Sequence, residues 1–230
     1  MPKQTTMKRI TILIVEDHAI VREGFRRMLE LEGDLEVVGE AQDGRQAVEM
    51  VKRLRPDVVL MDVAMPMLNG LEATRQVIKT IPATKVLILS AHGDLAYVTN
   101  AMESGAAGFL LKQTSATELY QAIREVHKGK TFFGPSISKR FDHFDPPSSG
   151  RTGMIKKAAE LTSREMEVLQ LVAEGNANKQ TAAELGIGIK TVEKHREHLM
   201  QKLDIHDTAG LTRYAIGAGV IESSVQFAMG

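Results

Sequence analysis

The chain has 230 residues and a formal net charge of zero, with 43% hydrophobic and 25% charged residues. This composition is ordinary for a globular protein, and the length suits one or two domains with their own cores. The sequence has no cysteine, which excludes disulfides, thiol catalysis and cysteine-based zinc sites. No apolar stretch approaches the roughly 20 residues that span a membrane. We therefore expect a cytoplasmic protein without membrane association, whose nucleic-acid binding, if any, depends on a local surface.

The first part of the chain alternates between short apolar runs and stretches with helical periodicity. Five apolar runs predict buried strands, at residues 10–15, 35–38, 57–62, 86–89 and 107–111. Helical stretches separate them, and the capping-box pattern Ser115-x-x-Glu118 opens the last helix, which ends near His127. Apolar strands that alternate with helices are typical of an α/β fold, here a doubly wound, five-stranded parallel sheet.

Residues with side chains that can take part in chemistry follow or end four of the five predicted strands. They are Glu16, Asp17, Asp62, Ser90 and Lys112. If the first, third, fourth and fifth strands are neighbours, these side chains converge at the carboxyl edge of the sheet, where open α/β sheets bind ligands. Three close carboxylates repel each other and require a cation, and ligation by oxygen alone favours Mg²⁺ or Mn²⁺. Such a site is suited to phosphoryl transfer to a carboxylate, with a lysine and a hydroxyl beside it.

The motifs Glu16–Asp17, Asp62-x-x-Met-Pro with Gly70, Ser90–Ala91 and Lys112 resemble the receiver domain of two-component response regulators, over residues 8–130. The resemblance implies a fold like that of CheY or flavodoxin and a sensor histidine kinase or a small phosphodonor as phosphoryl source. It also implies that the domain catalyses only its own Mg²⁺-dependent phosphorylation and dephosphorylation, and is no enzyme otherwise.

The resemblance assigns a role to each residue of the site. Asp62 is the expected phosphoacceptor, and Ser90 and Lys112 are expected to contact the phosphoryl oxygens. The expected Mg²⁺ ligands are Asp17, Asp62 and the backbone carbonyl of Ala64, with Glu16 acting through water. Ser90 and Phe109 occupy the switch positions of the family.

A Pro-, Ser- and Gly-rich segment predicts an interdomain linker at residues 131–157. A second domain is expected at residues 158–225. Its helices are predicted from the capping box Thr162-x-x-Glu165 to about residue 175, at 178–185 and at 189–203, with a final helix at about 207–217. Short helices joined by a tight glycine turn predict a small all-α unit of the helix-turn-helix type.

The segments LTSREMEVLQLVAEG, AAELGI, KTVEKHREHLMQKL and LTRYAI are similar to the LuxR-type DNA-binding domain of the NarL/FixJ family. The resemblance implies that residues 189–203 form a recognition helix in the major groove of double-stranded operator DNA. Expected phosphate contacts are Lys179, Lys190, Thr191, Arg196 and Lys202, and expected base-edge contacts are Glu193, Lys194 and Glu197. The final helix resembles the dimerisation helix of the family, with Leu211, Tyr214 and Ala215 as candidate contacts.

Two questions stay open at this point. Glu193 and Glu197 replace residues that are often basic in the family, and they either accept hydrogen bonds from cytosine or only pair with lysines along the helix. The sequence predicts a phosphorylation-activated transcriptional regulator that binds DNA as a homodimer. The alternatives are a phosphorylation-independent protein-binding adaptor and a phosphate sink that drains a kinase.

Overall fold

The computed structural model of this chain describes residues 9–93, 95–135, 137–138 and 161–221. An α/β unit precedes residue 139, and a helical unit begins at residue 161. Residue 8, most of the predicted linker at 131–157 and residues 158–160 and 222–225 of the predicted second domain lie outside the described residues.

The α/β unit contains one parallel sheet flanked by helices. Its strands are β1 (Ile10–Val15), β2 (Leu35–Ala41), β3 (Val58–Asp62), β4 (Lys85–Ser90), β5 (Gly108–Leu111) and β6 (Phe132–Phe133). Its helices are α1 (Ala19–Glu30), α2 (Gly44–Leu54), α3 (Gly70–Thr80), α4 (Leu95–Glu103) and α5 (Ala116–His127). The strand order is β2-β1-β3-β4-β5-β6, so the predicted neighbours β1, β3, β4 and β5 are indeed adjacent.

The sheet has six strands, and the prediction of five is wrong. Phe132 pairs with Gly108 and Phe133 with Phe109, at the start of the predicted linker. The Gly134 N–H also donates to the Phe109 carbonyl, at 3.2 Å. A two-residue strand is too short to show alternation in the sequence, and it forms because β5 presents an open edge.

Alternate strand residues supply two cores, one on each side of the sheet. On β3, Val59 and Met61 pack with residues of α2, α3 and α4, whereas Val58 and Leu60 pack with α1 and α5. Helices therefore cover both faces, as the doubly wound prediction requires. Asp62 ends the central strand β3 and lies at the carboxyl edge between β1 and β4.

The helical unit consists of α6 (Ser163–Ala173), α7 (Asn178–Leu185), α8 (Ile189–Leu203) and α9 (Thr208–Gly217). Thr162 and Glu165 form the predicted capping box at the start of α6. Gly186 ends α7 with a φ of 62°, a left-handed conformation that suits glycine. Val192, Leu199 and Leu203 are the buried residues of α8, so its inner stripe is the predicted one.

Across the described segments, every helix is either too short or too polar to span a bilayer.

Candidate functional site

The carboxyl edge of the sheet brings Lys112 next to two carboxylates. Lys112 follows β5, and its N–H donates to the Ser90 carbonyl at 2.8 Å. Its Nζ lies 3.0 Å from Asp62 Oδ2 and 2.8 Å from Glu16 Oε2. The last residues of strands that are distant in sequence thus share one crevice, and one ammonium group bridges both carboxylates.

Burial sets the ionisation of this group of charges. Asp62 is 3% exposed. Burial, together with the negative charge of Glu16, raises the pKa of Asp62 to about 7, although Lys112 opposes the shift. Burial alone would lower the pKa of Lys112, but Asp62 and Glu16 raise it overall, so Lys112 stays protonated. An additional cation would stabilise the charged form of Asp62 and lower its pKa.

The acidic pair after β1 completes an all-oxygen set of donors. Glu16 is buried, whereas Asp17 is partly exposed and borders the same crevice as Ala64. The carboxylate oxygens of Glu16, Asp17 and Asp62 and the carbonyl of Ala64 are ligand types that suit Mg²⁺ or Mn²⁺. The chemistry of these donors therefore fits the expected ion.

His18 was not among the residues predicted for this site. Its Nδ1 lies 2.8 Å from Asp17 Oδ1 and 3.1 Å from Glu16 Oε1. The charge of Asp17, and then a hydrogen bond to Glu16, raise the pKa of the His18 imidazole. The only signal in the sequence was that His18 follows the acidic pair directly.

A tight loop between β3 and α3 holds Asp62 in place. The Gly70 N–H donates to the Val63 carbonyl at 2.9 Å. A Cβ atom on Gly70 would collide with the Asp62 carbonyl oxygen. Asn69 caps α3, because its side chain accepts from the Glu72 N–H at 2.9 Å. The loop therefore passes close to the backbone of Asp62, and only glycine fits at that point.

The two expected switch residues lie on neighbouring strands. Ser90 is buried at the end of β4, and its hydroxyl accepts a hydrogen bond from the His92 N–H at 3.1 Å. Phe109 is fully buried in the core between the sheet and α4. The two strands that carry them are paired, with Phe109 of β5 opposite Ile88 of β4.

Most of the residues expected to contact DNA are exposed on the helical unit. They are Lys179, Lys190, Thr191, Glu193, Lys194 and Glu197. These residues present a mixed-charge surface, with five of the six on α8.

Arg196 and Lys202, also expected to contact phosphates, have partners inside the helical unit. Arg196 donates to the Asn178 side chain at 3.0 Å and to the Thr208 hydroxyl at 2.5 Å. It thereby ties α8 to the first residues of α7 and α9. Lys202 Nζ lies 2.6 Å from Glu165 Oε2, so it joins the end of α8 to the capping box of α6.

The three residues predicted to form a dimer contact are buried within the single chain, so none of them lies on the surface of α9. Leu211 and Ala215 are 0% exposed and Tyr214 is 5% exposed. All three belong to the core that α9 shares with the other helices of this unit. Ala209, Arg213 and Ile216 form the exposed side of α9 instead.

The helical unit packs against the α/β unit through polar side chains that the sequence did not single out. The Gln170 side chain accepts from the Asn69 N–H at 2.8 Å and donates to the Met65 carbonyl at 2.8 Å. The amide of Asn100 on α4 donates to the Ala218 carbonyl at 3.2 Å. Gln170 is the one polar residue in the buried segment 168–172 of α6, which was the available signal in the sequence.

Comparison with known proteins identifies both units. Residues 12–124 match the family model of the response regulator receiver domain. Residues 159–215 match the model of the bacterial regulatory proteins of the luxR family. Together the two matches cover most of the chain.

Named relatives match along nearly the whole chain. The transcriptional regulatory protein DegU of Brevibacillus brevis is 39% identical, over 90% of this chain and 93% of its own length. The oxygen regulatory protein NreC of Staphylococcus carnosus is 36% identical, over 89% of this chain and 96% of its own. A structure of RcsB dimers bound to DNA aligns with a TM-score of 0.57 at 26% identity, covering 91% of this chain and 99% of that one.

The chain therefore belongs to the two-component response regulators that join a receiver domain to a LuxR-type helix-turn-helix, the NarL/FixJ family. It is a DNA-binding transcriptional regulator.

Proposed function

We propose that Asp62 accepts a phosphoryl group from a sensor histidine kinase or a small phosphodonor, and that this modification controls binding to operator DNA. One observation carries the assignment. Asp62 is buried at the end of the central strand, with the Lys112 ammonium 3.0 Å from its carboxylate. A buried carboxylate beside a fixed cation is suited to receive an anionic group.

Each residue of the crevice has a role in this proposal. Lys112 neutralises the incoming phosphoryl oxygens, and Ser90 offers its hydroxyl to them after release from the His92 N–H. Asp17, Asp62 and the Ala64 carbonyl would hold Mg²⁺, and Glu16 would act through water. When bound, Mg²⁺ neutralises charge on the phosphoryl group and favours the ionised form of Asp62. The receiver thus promotes only its own phosphorylation and dephosphorylation.

For DNA recognition, α8 enters the major groove of a duplex operator. Lys179, Lys190 and Thr191 contact phosphates, and Glu193, Lys194 and Glu197 face base edges. The exposure of all six residues supports this assignment. Arg196 and Lys202 position α8 instead, because both already hold helices together. The exposed face of α8 also favours a DNA-binding regulator over a phosphate sink or an adaptor.

The active form is a homodimer in the cytoplasm, on a two-fold operator with half-sites about one helical turn apart. In place of the buried residues first predicted, Ala209, Arg213 and Ile216 make the contact between two α9 helices. Their exposure on one side of α9 supports this assignment, and the RcsB structure, which is one of dimers bound to DNA, provides a precedent.

Phosphorylation of the full chain with acetyl phosphate and Mg²⁺ tests the proposal. We expect one phosphoryl group per wild-type chain by intact mass, and none on Asp62→Asn. Asp204→Asn, which alters an exposed carboxylate of the helical unit, serves as the control and is labelled like wild type. Equal labelling of Asp62→Asn would place the phosphoacceptor elsewhere. Operator selection with the labelled protein then tests whether phosphorylation changes DNA affinity.

A further inference from the structure

Three buried amide side chains clasp the helical unit to the receiver, and we refer to Asn69, Asn100 and Gln170 as the amide clasp. They are 2%, 7% and 1% exposed, respectively. Gln170 bonds both to the Asn69 N–H and to the Met65 carbonyl, and Asn69 Nδ2 donates to the Val220 carbonyl at 3.2 Å. Buried amides with paired donors and acceptors specify one arrangement, because a shifted interface would leave them unpaired.

The receiver side of the clasp is the loop that follows the phosphoacceptor. Met65 and Asn69 both belong to the β3–α3 loop, which contacts Asp62 through Gly70. Gln170 of the helical unit therefore holds the segment that borders the reacting carboxylate. Any rearrangement of this loop on phosphorylation acts on the clasp, and the clasp equally resists that rearrangement.

The helical unit also forms one wall of the crevice that leads toward the acidic residues. Asp17, Ala64 and Pro66 line the receiver side, and Ala173, Glu174 and Ile221 line the opposite side. A phosphodonor that approaches from this direction meets the end of α6 and the residues after α9. Docking thus narrows the approach to the site where the phosphoryl group is expected.

The same docking leaves the DNA-facing surface uncovered. Lys190, Glu193, Lys194 and Glu197 of α8 are all exposed while the clasp is closed. The exposed residues Arg213 and Ile216 of α9 are uncovered as well. The contact between the two units therefore does not mask the recognition helix, and the surface that it restricts lies at the phosphorylation site.

We propose that the helical unit is a lid on the phosphoacceptor crevice, latched by the amide clasp, and that its docking slows phosphorylation of Asp62. This inference rests on the proposed function, since it requires that Asp62 is the phosphoacceptor. By reciprocity, phosphorylation favours the undocked arrangement.

The test is the initial rate of Mg²⁺-dependent phosphorylation of the full chain by phosphoramidate. Gln170→Ala removes the two hydrogen bonds between the helical unit and the β3–α3 loop. Asn100→Ala removes a different bond of the clasp, the one to the Ala218 carbonyl, and leaves the β3–α3 loop unchanged. We expect both variants to react faster than wild type, with Gln170→Ala faster by about 10-fold, the change in opening expected when two net hydrogen bonds are weakened. Gln201→Ala, an exposed glutamine of the same unit, is the matched control and keeps the wild-type rate.

A second test links the helical unit covalently to the receiver, so that the two units stay docked. Because the chain has no cysteine, Asn100→Cys and Ala218→Cys can be introduced together and joined by a cleavable bismaleimide. We expect the linked protein to be phosphorylated several-fold more slowly than the same protein after cleavage.

Equal rates for wild type, Gln170→Ala and Asn100→Ala, with labelling that still depends on Asp62, would overturn the lid while leaving the proposed function intact. So would a linked protein that reacts as fast as the cleaved one. Labelling that persists in Asp62→Asn would instead refute the proposed function.

Discussion

At the scale of single residues, Asp62 lies among groups that oppose its ionisation. It is buried next to Glu16, and Lys112 offsets this only in part, so its pKa lies near 7. A carboxyl whose pKa in the folded state is above its unfolded value of about 3.9 destabilises the fold as pH rises between the two values. The ionised form of Asp62 is therefore unfavourable in this site, and a bound cation or a new partner can stabilise it.

Because the pKa of Asp62 is raised in the folded state, we can predict how the stability of Asp62→Asn depends on pH in metal-free buffer with a chelator. Near pH 4 both proteins carry an uncharged group at position 62 and have similar stability. As pH rises to 8, wild type loses stability relative to the variant by about 2 to 4 kcal/mol, from the shift in pKa.

Urea unfolding at a series of pH values measures this difference. Asp204→Asn is the control, because its carboxylate is exposed, and it should follow wild type at every pH. A difference between wild type and Asp62→Asn that does not change from pH 4 to pH 8 would contradict the charge environment described here.

At the scale of elements, α8 carries two kinds of basic residue. Lys190 is exposed near its start, whereas Arg196 is half-buried and bonded to α7 and α9. Both belong to one helix and carry the same charge, but we expect Lys190 to neutralise a phosphate and Arg196 to hold α8 in position against its neighbouring helices.

Alanine substitutions distinguish these two roles. Lys190→Ala should lower the slope of log affinity against log salt concentration by about 1, because one phosphate contact is lost. Arg196→Ala should leave the slope unchanged and lower the free energy of unfolding of the helical unit by about 1 to 2 kcal/mol, through the loss of two hydrogen bonds.

Operator binding at several salt concentrations, with thermal unfolding of the same samples, provides both readings. If Arg196→Ala lowers the salt slope as much as Lys190→Ala does, then Arg196 leaves its partners to contact DNA.

At the scale of the whole molecule, the position of α9 decides what is available for dimerisation. Its apolar residues Leu211, Tyr214 and Ala215 are used by the core of the helical unit. Ile216 is 37% exposed on the other side of the helix. A dimer contact made by α9 would therefore use the outer side of this helix.

We expect Ile216→Asp to prevent dimerisation of the full chain activated with beryllofluoride and Mg²⁺, because a charge would be buried at the contact. Leu211→Ala should act differently, by destabilising the helical unit by about 2 to 5 kcal/mol. Sedimentation velocity with and without beryllofluoride measures the first effect, and thermal unfolding measures the second.

Leu31→Asp is the matched control for an exposed apolar residue, since Leu31 is 82% exposed on the receiver. It should dimerise like wild type. A dimer that forms equally well with Ile216→Asp would move the contact away from this side of α9.

The sequence by itself determined those features that depend on local order along the chain. Apolar runs and helical periodicity defined five of the strands and all the long helices, since burial imposes these patterns residue by residue. The convergence of Glu16, Asp62 and Lys112 was also predictable, because parallel strands end at the same edge of a sheet.

Tertiary structure alone decided which surfaces of those elements are free. The pairing of β6 with β5, the inward position of Tyr214 and the internal partners of Arg196 and Lys202 depend on segments that are distant in sequence. The same holds for Gln170, whose amide is buried only because the β3–α3 loop of the other unit meets it. Local pattern defines an element and its apolar side, but its neighbours determine which polar side chains remain exposed.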